Sequence, residues 1–477
     1  MKPIGFNNSI MTEKIQQKLS DSFKARWAAL IIVSITMMMG YFLTDVMSPL
    51  ETLLEAPASQ GGLGWPSSDY GVFSGSYGLI NVFLAMLFFG GLILDRFGIR
   101  FTGNLSCVLM VIGAFIKFYA IAYMSPDGTT MVNIPVIGAY TGLDHAIKNQ
   151  VLIASLGFAI FGVGCEICGI TISKVMTKWF TGHELALAMG VQVALARLGT
   201  ALTFFVSVPV ATHFSISAPV LLGALLLVIG LLLWLVYDVM DIKLDKSAPG
   251  ANKLAADSDD EKFHLSDLGL IFKNPGFWLI TLMCLCFYGG IFPFLKFATK
   301  VMVFKYHVSP EYAGIIPSLM PFGTIILTPI FGTIYDKVGK GASLMILGSV
   351  ILTAIHVCFA LPIIQQAWFA VILMILLGVA FSLVPSAMWP SVPKIIPMKQ
   401  LGSAYAIIFY IQNIGLTLIP MFMGTIIEKN TVNGVPSFAV PMMTFACFGF
   451  AAVIFGIILK ILDARKGYGL EQANIKE

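Results

Sequence analysis

Apolar residues fall in runs of about 20 along nearly the whole chain, broken by short stretches rich in Gly, Pro, Asn, Asp and Lys. A helix of about 20 apolar residues spans a hydrocarbon core. Only helices and closed barrels satisfy their backbone in lipid, and these runs are too long and continuous for barrel strands. The pattern predicts helices one to six over about 27–47, 71–94, 102–124, 150–175, 184–211 and 216–238. A polar stretch follows over 239–274. Helices seven to twelve are predicted over about 276–303, 311–334, 341–362, 367–391, 401–427 and 436–463. The expected fold is an all-α membrane protein of twelve transmembrane helices. They form two pseudo-symmetric six-helix bundles, 27–238 and 275–463, with a cytoplasmic linker at 239–274 and tails at 1–26 and 464–477.

Composition agrees. Of 477 residues, 57% are hydrophobic and 11% charged, with a mean hydropathy of +0.87. A soluble globular chain carries about 25% charged residues. The net charge of +4 is distributed by loop, not as a nucleic-acid patch. Lys2, Lys14, Lys18, Lys24 and Arg26 precede helix one, and Arg96 and Arg100 follow helix two. The same side carries Lys178, then Lys243, Lys246, Lys253, Lys262 and Lys273, then Lys337, Lys340, Lys394, Lys399, Arg465 and Lys466. Residues 48–70 and the turns near 212–216 and 361–367, on the other side, hold neither Lys nor Arg. Basic loops stay in the cytoplasm, so both termini are expected there. The first 26 residues lack the apolar core of a cleavable signal.

The halves repeat. Gly91–Gly98 reads GLILDRFG and Gly332–Gly339 reads GTIYDKVG. Glu184-Leu185 aligns with Gln400-Leu401, which then pairs Arg197-Leu198-Gly199 with Asn413-Ile414-Gly415. The first half is longer between these landmarks, and the loop near 125–149 accounts for the excess. Two parallel six-helix repeats around a central site form a transporter architecture.

The segment Gly91-Leu-Ile-Leu-Asp95-Arg96-Phe-Gly98-Ile-Arg100 matches the major facilitator signature GxLxDRxGxR. Asp95 suits pairing with cations of a neighbouring helix end. Arg96 and Arg100 reach lipid phosphates or carboxylates, and the glycines permit close helix approach and a tight turn. With the degenerate copy at Asp336 and Lys337, these residues are expected to form a conformational latch on the basic side, away from substrate.

Charges inside a membrane are costly, so each is a site candidate. They are Asp45 in helix one, Lys117 in helix three, Glu166 in helix four, Arg197 in helix five, and Lys296 and Lys300 in helix seven. Lys117, Lys296 and Lys300 either snorkel to the interface or serve the site. Glu166 and Arg197 lie deep in FGVGCEICG and VALARLGT. Either they form a structural ion pair or they bind the two ends of a zwitterion. Gln412 and Asn413 in helix eleven and Trp389 in helix ten are candidates from the second half, with Trp389 equally an interfacial anchor. Pro385, Pro390 and Pro393 are expected to bend or break helix ten near a cavity. Tyr41 and Tyr288 are candidate hydrogen-bonding walls.

The seven cysteines, Cys165 and Cys168 included, read as packing residues, and the six histidines show no ligand spacing. His356 reads as structural. No nucleotide-binding, metalloprotease or nucleophile-elbow constellation is present. The expected protein is not an enzyme and has no metal or cofactor.

Beyond the general signature, FFGGLILDRFGIR, FGVGCE, KWFTGHELALAMGVQVALARLGT, GGIFPFLKFATKV and AMWPSVPKIIPMKQLGSAYAIIFYIQNIGL resemble the lysosomal dipeptide uniporter branch of the major facilitator superfamily. The resemblance covers most of the twelve helices. It implies a uniporter of cationic and neutral dipeptides, with the family's binding residues on Glu166, Arg197, Asp45 and Lys300. An ammonium suits Glu166 or Asp45, and Arg197 can grip a carboxylate with two parallel hydrogen bonds. The loop near 125–149, the absence of an acidic dileucine signal in the tail and the lack of Asn-x-Ser/Thr in outer loops depart from animal carriers. They point to a bacterial plasma membrane. No ExxER motif of proton-coupled peptide transporters occurs in helix one. The expected partners are a small-molecule substrate and the bilayer, for a monomer. The other open reading is a carrier of an organic anion or sugar, with or without a proton, in which Glu166 is only a structural partner of Arg197.

Overall fold

The computed structural model describes residues 19–180, 183–247, 268–397 and 400–473. Most of the expected linker, much of the N-terminal tail, and Lys2, Lys14, Lys18, Lys253, Lys262 and Lys399 lie outside these residues. Helix one is Phe23–Asp45, and helices four, five and six are Asn149–Phe180, Leu185–His213 and Ala218–Ser247. Helices seven to nine are Pro275–Phe304, Ile315–Val338 and Gly341–Ala360. Helices ten to twelve are Ala367–Ile395, Leu401–Lys429 and Ala439–Lys466. Most begin or end within a few residues of the sequence pattern. Helix six outlasts it by about two turns, and its last turns carry Asp238 to the Asn104 amide and Asp241 and Asp245 to the basic partners described below.

Helix two departs from expectation. It is not one helix over 71–94 but a chain of pieces: Ser67–Gly75, a 3-10 turn Ser76–Gly78, and Leu79–Phe83. Ala85 then adopts a left-handed conformation (φ 49°) before helix resumes at Met86. The glycines at 71, 75 and 78 weaken the helix, and hydrophobic periodicity is blind to that. The run Met86–Tyr123 is interrupted at Gly98 (φ 78°, ψ 177°), which separates the end of helix two from helix three. Eleven helices among the described residues are each long and apolar enough to cross a membrane. The segmented helix two completes twelve spans.

The repeat is visible in the backbone. Glu184 and Gln400 are the residues immediately before helices five and eleven. The signature copies end on Gly98 and Gly339, at φ 78° and 74°. The extra length of the first half is a loop with a hairpin, Thr129–Met131 against Ala146–Lys148, and a short helix Gly138–Thr141.

Helix ten contains Pro385, Pro390 and Pro393 and still runs unbroken. Proline removes the donor to the carbonyl four residues back. The carbonyl that Pro393 frees, Trp389 O, accepts from the Tyr405 hydroxyl at 3.0 Å. A substitute donor from helix eleven satisfies the group whose loss of a partner would have favoured a break.

Candidate functional site

Glu166 and Arg197 do not form an ion pair. The Tyr77 hydroxyl donates to Glu166 Oε1 at 2.9 Å, and among the described residues the carboxylate has no cationic partner. The Arg197 guanidinium is ringed by aromatics, 5.6 Å from the Tyr41 ring centre, 5.3 Å from Phe292 and 5.1 Å from Phe381. Cation–π contact stabilises such a charge, and among the described residues no acceptor takes up its five N–H donors. Both side chains are half-buried, and Tyr41 lies within electrostatic reach of both charges. Phe292 and Phe381 come from the second bundle, so Arg197 sits where the halves meet. The structural ion-pair alternative for helices four and five is excluded by this geometry.

The second bundle contributes an aromatic wall. Trp389 Nε1 donates to the Tyr288 hydroxyl at 3.1 Å, and its ring stacks on Phe409 at 4.9 Å. Trp389 therefore faces the interior of its bundle and is no interfacial anchor. Tyr288 packs edge-on against Phe381 at 5.8 Å, which joins this wall to the rings around Arg197. Asn413 spends its Nδ2 on Phe409 O at 3.0 Å, and its buried Oδ1 has no partner among the described residues. Gln412 is buried, and its Oε1 accepts from the Cys284 thiol at 3.7 Å.

Asp45 and Lys300 join a different group. Lys296 Nζ donates to Asp45 Oδ1 at 2.6 Å. Lys300 Nζ lies 2.6 Å from Glu55 Oε2, 2.6 Å from Ser67 Oγ and 3.7 Å from Glu51 Oε1. Neither lysine snorkels. Both are drawn into the gap between the bundles by carboxylates of the first half. The structure does not bring Asp45 or Lys300 into contact with Glu166 or Arg197. Lys117 does not snorkel either: it is buried, donates to Leu43 O at 3.1 Å and sits 4.6 Å above the Phe158 ring.

The Major Facilitator Superfamily profile matches residues 134–420 and 295–472. The chain belongs to the Major Facilitator Superfamily. This transporter is 28% identical over 360 residues to the lysosomal dipeptide transporter MFSD1 of Bos taurus, covering 72% of this chain and 69% of that protein. It is 28% identical over 394 residues to MFSD1 of Danio rerio, covering 81% and 77%. Among solved folds it resembles the nucleoside transporter NupG, with a TM-score of 0.66 at 16% identity, covering 92% of this chain and 99% of the other. It also resembles the peptide transporter POT in complex with alafosfalin, with a TM-score of 0.64 at 15% identity, covering 93% and 95%.

A major facilitator carrier exposes its centre alternately to two sides. Here the bundles are clamped on the side opposite the basic loops, called distal below. The clamp comprises Asp45–Lys296, Glu51 and Glu55 with Lys300, and a hydrogen bond from Ser68 N to Glu428 Oε2 at 2.9 Å. Among the described residues, no ion pair joins the bundles on the basic side. The clamp holds the distal side closed.

On the basic side the signature segment pairs within its own bundle. Asp95 accepts from Lys174 of helix four at 2.6 Å. Arg100 reaches Asp245 at 3.0 Å and Asp241 at 3.5 Å, and Lys178 reaches the same two carboxylates at 2.8 Å and 2.7 Å. Arg96 lies 5.5 Å from the Phe97 ring centre. Gly98 makes the turn, as expected. Gly91 does not mediate close packing in this state, since a Cβ there would meet nothing within 4 Å. In the second copy Asp336 lies half-buried in the last turn of helix eight, beside an exposed Lys337. Arg26 adds a bidentate clasp on Glu184, at 2.9 and 3.1 Å, and that bond holds the Glu184 carboxyl below its ordinary value.

Glu51, Glu55, Tyr77, Lys174, Phe292 and Phe381 were not singled out by the sequence. One signal was available for the first two. Glu51 and Glu55 are spaced by one helical turn, as are Lys296 and Lys300, and opposite charges at matching spacing on two helices can face each other.

Proposed function

We propose that this transporter carries dipeptides across the membrane by alternating access, as a uniporter. The observation that carries the reading is the pair of unmatched charges, Glu166 and Arg197, at the meeting of the bundles. A half-buried charge without a counter-ion is costly, and a dipeptide supplies both missing partners at once. Its ammonium suits Glu166 and its carboxylate suits the free fork of Arg197. The aromatic wall of Tyr288, Trp389, Phe292 and Phe381 offers apolar surface for side chains of varied size. The names of the MFSD1 relatives support the same substrate class.

A carrier of simple organic anions would use Glu166 as a structural partner of Arg197. The two are not paired, and this favours the zwitterion. We further infer that the protein acts as a monomer in a bacterial plasma membrane with both termini in the cytoplasm, from the basic-loop distribution and the absence of a dileucine signal and of Asn-x-Ser/Thr in outer loops.

The test is a thermal-shift screen of the purified protein against dipeptides, single amino acids, sugars and organic acids. Dipeptides should raise Tm and Glu166→Gln should abolish the rise. Stabilisation by organic acids or sugars in place of dipeptides would overturn the reading. Counterflow into proteoliposomes that persists without a pH gradient would support uniport, and flux that requires the gradient would refute it.

A further inference from the structure

Tyr77 is the one protein group that hydrogen-bonds Glu166 among the described residues, and its setting is unusual. It occupies the 3-10 turn Ser76–Gly78, where helix two is broken. Its ring lies 5.4 Å from Phe158 and 6.2 Å from Phe161 on helix four. Its carbonyl lies so close to Gly162 that a Cβ there would come within 2.1 Å. Phe158, Gly162 and Glu166 follow one another at helical spacing on one face of helix four. Tyr77 rests along that face, with ring on Phe158, backbone on Gly162 and hydroxyl on Glu166.

The other side of the same turn is held by the opposite bundle. A Cβ on Gly75 would lie 2.2 Å from Thr417 O, and one on Gly78 would lie 2.2 Å from Thr417 Oγ1. Tyr410 of helix eleven donates to Val82 O at 2.9 Å. Beyond Val82 the left-handed Ala85 uncouples this piece from the rest of helix two. The piece that carries Tyr77 is therefore seated on helix eleven in the distally closed state.

We propose that Tyr77 is a positioning residue that aims Glu166 at the substrate ammonium while the distal side is closed. The role rests on the dipeptide reading above. The hydroxyl fixes Oε1 and leaves Oε2 without a protein hydrogen bond among the described residues, free for an N–H of the ammonium. Because the turn is held by helix eleven, the aim of Glu166 depends on the contact that distal opening must separate. Recognition of the ammonium is thereby tied to the state of the carrier without any contact between Tyr77 and substrate.

The experiment measures binding of a free dipeptide and its N-acetyl derivative to the wild type, Tyr77→Phe, Glu166→Gln and the double variant. Tyr77→Phe keeps the ring packing and removes one oxygen. It should weaken the free dipeptide about tenfold, leave the weak N-acetyl binding unchanged, and add nothing in the Glu166→Gln background. Glu166→Asp, which withdraws the carboxylate from the hydroxyl, should show the same selective loss. An unchanged free-dipeptide affinity, an equal loss for both ligands, or additive effects in the double variant would overturn the role of Tyr77 alone. A wild type that binds both ligands alike would overturn the dipeptide reading and this role with it.

Discussion

Asp45, the last residue of helix one, accepts a 2.6 Å bond from Lys296 of helix seven, so opposite charges pin the two bundles together on the distal side. Both side chains are about nine-tenths buried, at 12% and 13% exposure. Removing one partner of such a pair strands the other charge, at a cost of about 3 kcal/mol. Asp45→Asn is expected to lower Tm clearly, and the charge-swapped pair Asp45→Lys with Lys296→Asp to recover part of the loss. A melting curve for Asp45→Asn that overlays the wild type would remove the clamp from the account.

Gly98 and Gly91 belong to the same signature but answer to different physics. Gly98 sits at φ 78° and ψ 177°, a region essentially closed to residues with a Cβ. Gly98→Ala should cost about 1–3 kcal/mol and be visible as a lower Tm. Gly91 is helical and its missing Cβ faces open space. Gly91→Ala should therefore leave Tm unchanged or slightly raised, since alanine is the better helix former. Equal losses at both positions would contradict this division.

The Arg26–Glu184 clasp joins the start of helix one to the start of helix five. Hydrogen bonding from Arg26 depresses the Glu184 carboxyl in the folded protein below the ordinary 4.5. A depressed carboxyl stabilises when ionised. The contribution is fully present above the unfolded value and is lost as pH falls through the folded one. Wild type should melt above Glu184→Gln near neutral pH, by a small margin because the glutamate is exposed. The difference should close on acidification below that range. A gap independent of pH would show that the charge on Glu184 is irrelevant.

The carbonyl that Pro393 deprives of its helical donor accepts from the Tyr405 hydroxyl instead. Tyr405→Phe should cost about 1–2 kcal/mol by leaving Trp389 O unpaired. Because Trp389 also bonds Tyr288, the variant should weaken substrate-induced stabilisation as well. Thermal melts with and without dipeptide read both effects. A neutral substitution would mean that water replaces the hydroxyl.

Hydrophobic runs made most of the twelve helices legible, because lipid demands apolar length whatever the tertiary contacts. The internal repeat was equally legible, since Glu184 and Gln400 precede helices five and eleven and Gly98 and Gly339 share a positive φ. The cost of burying Glu166 and Arg197 marked them as functional candidates without any partner in view. Partners were a different matter. Lys296 was visible as a buried cation, but its carboxylate lies 251 residues away on another bundle. Lys117 looked able to snorkel, and only the fold reveals the Leu43 carbonyl and the rings that hold it inside. Helix two kept its apolar content while losing its continuity, and periodicity records the first property alone.

Arg197 offers the sharpest distinction between charge and shape at the site. Its guanidinium lies within 6 Å of three ring centres, and its planar fork is unpaired among the described residues. A lysine there keeps the charge but loses the flat face against Tyr41, Phe292 and Phe381 and the two parallel donors for a carboxylate. Arg197→Lys should therefore weaken a free dipeptide about tenfold or more and leave its C-terminal amide, already weakly bound, nearly unaffected. Isothermal titration with the acid and the amide reads the ratio directly. If Arg197→Lys preserves the wild-type preference for the acid, long-range charge suffices, and the bidentate grip on the carboxylate is not what selects the substrate.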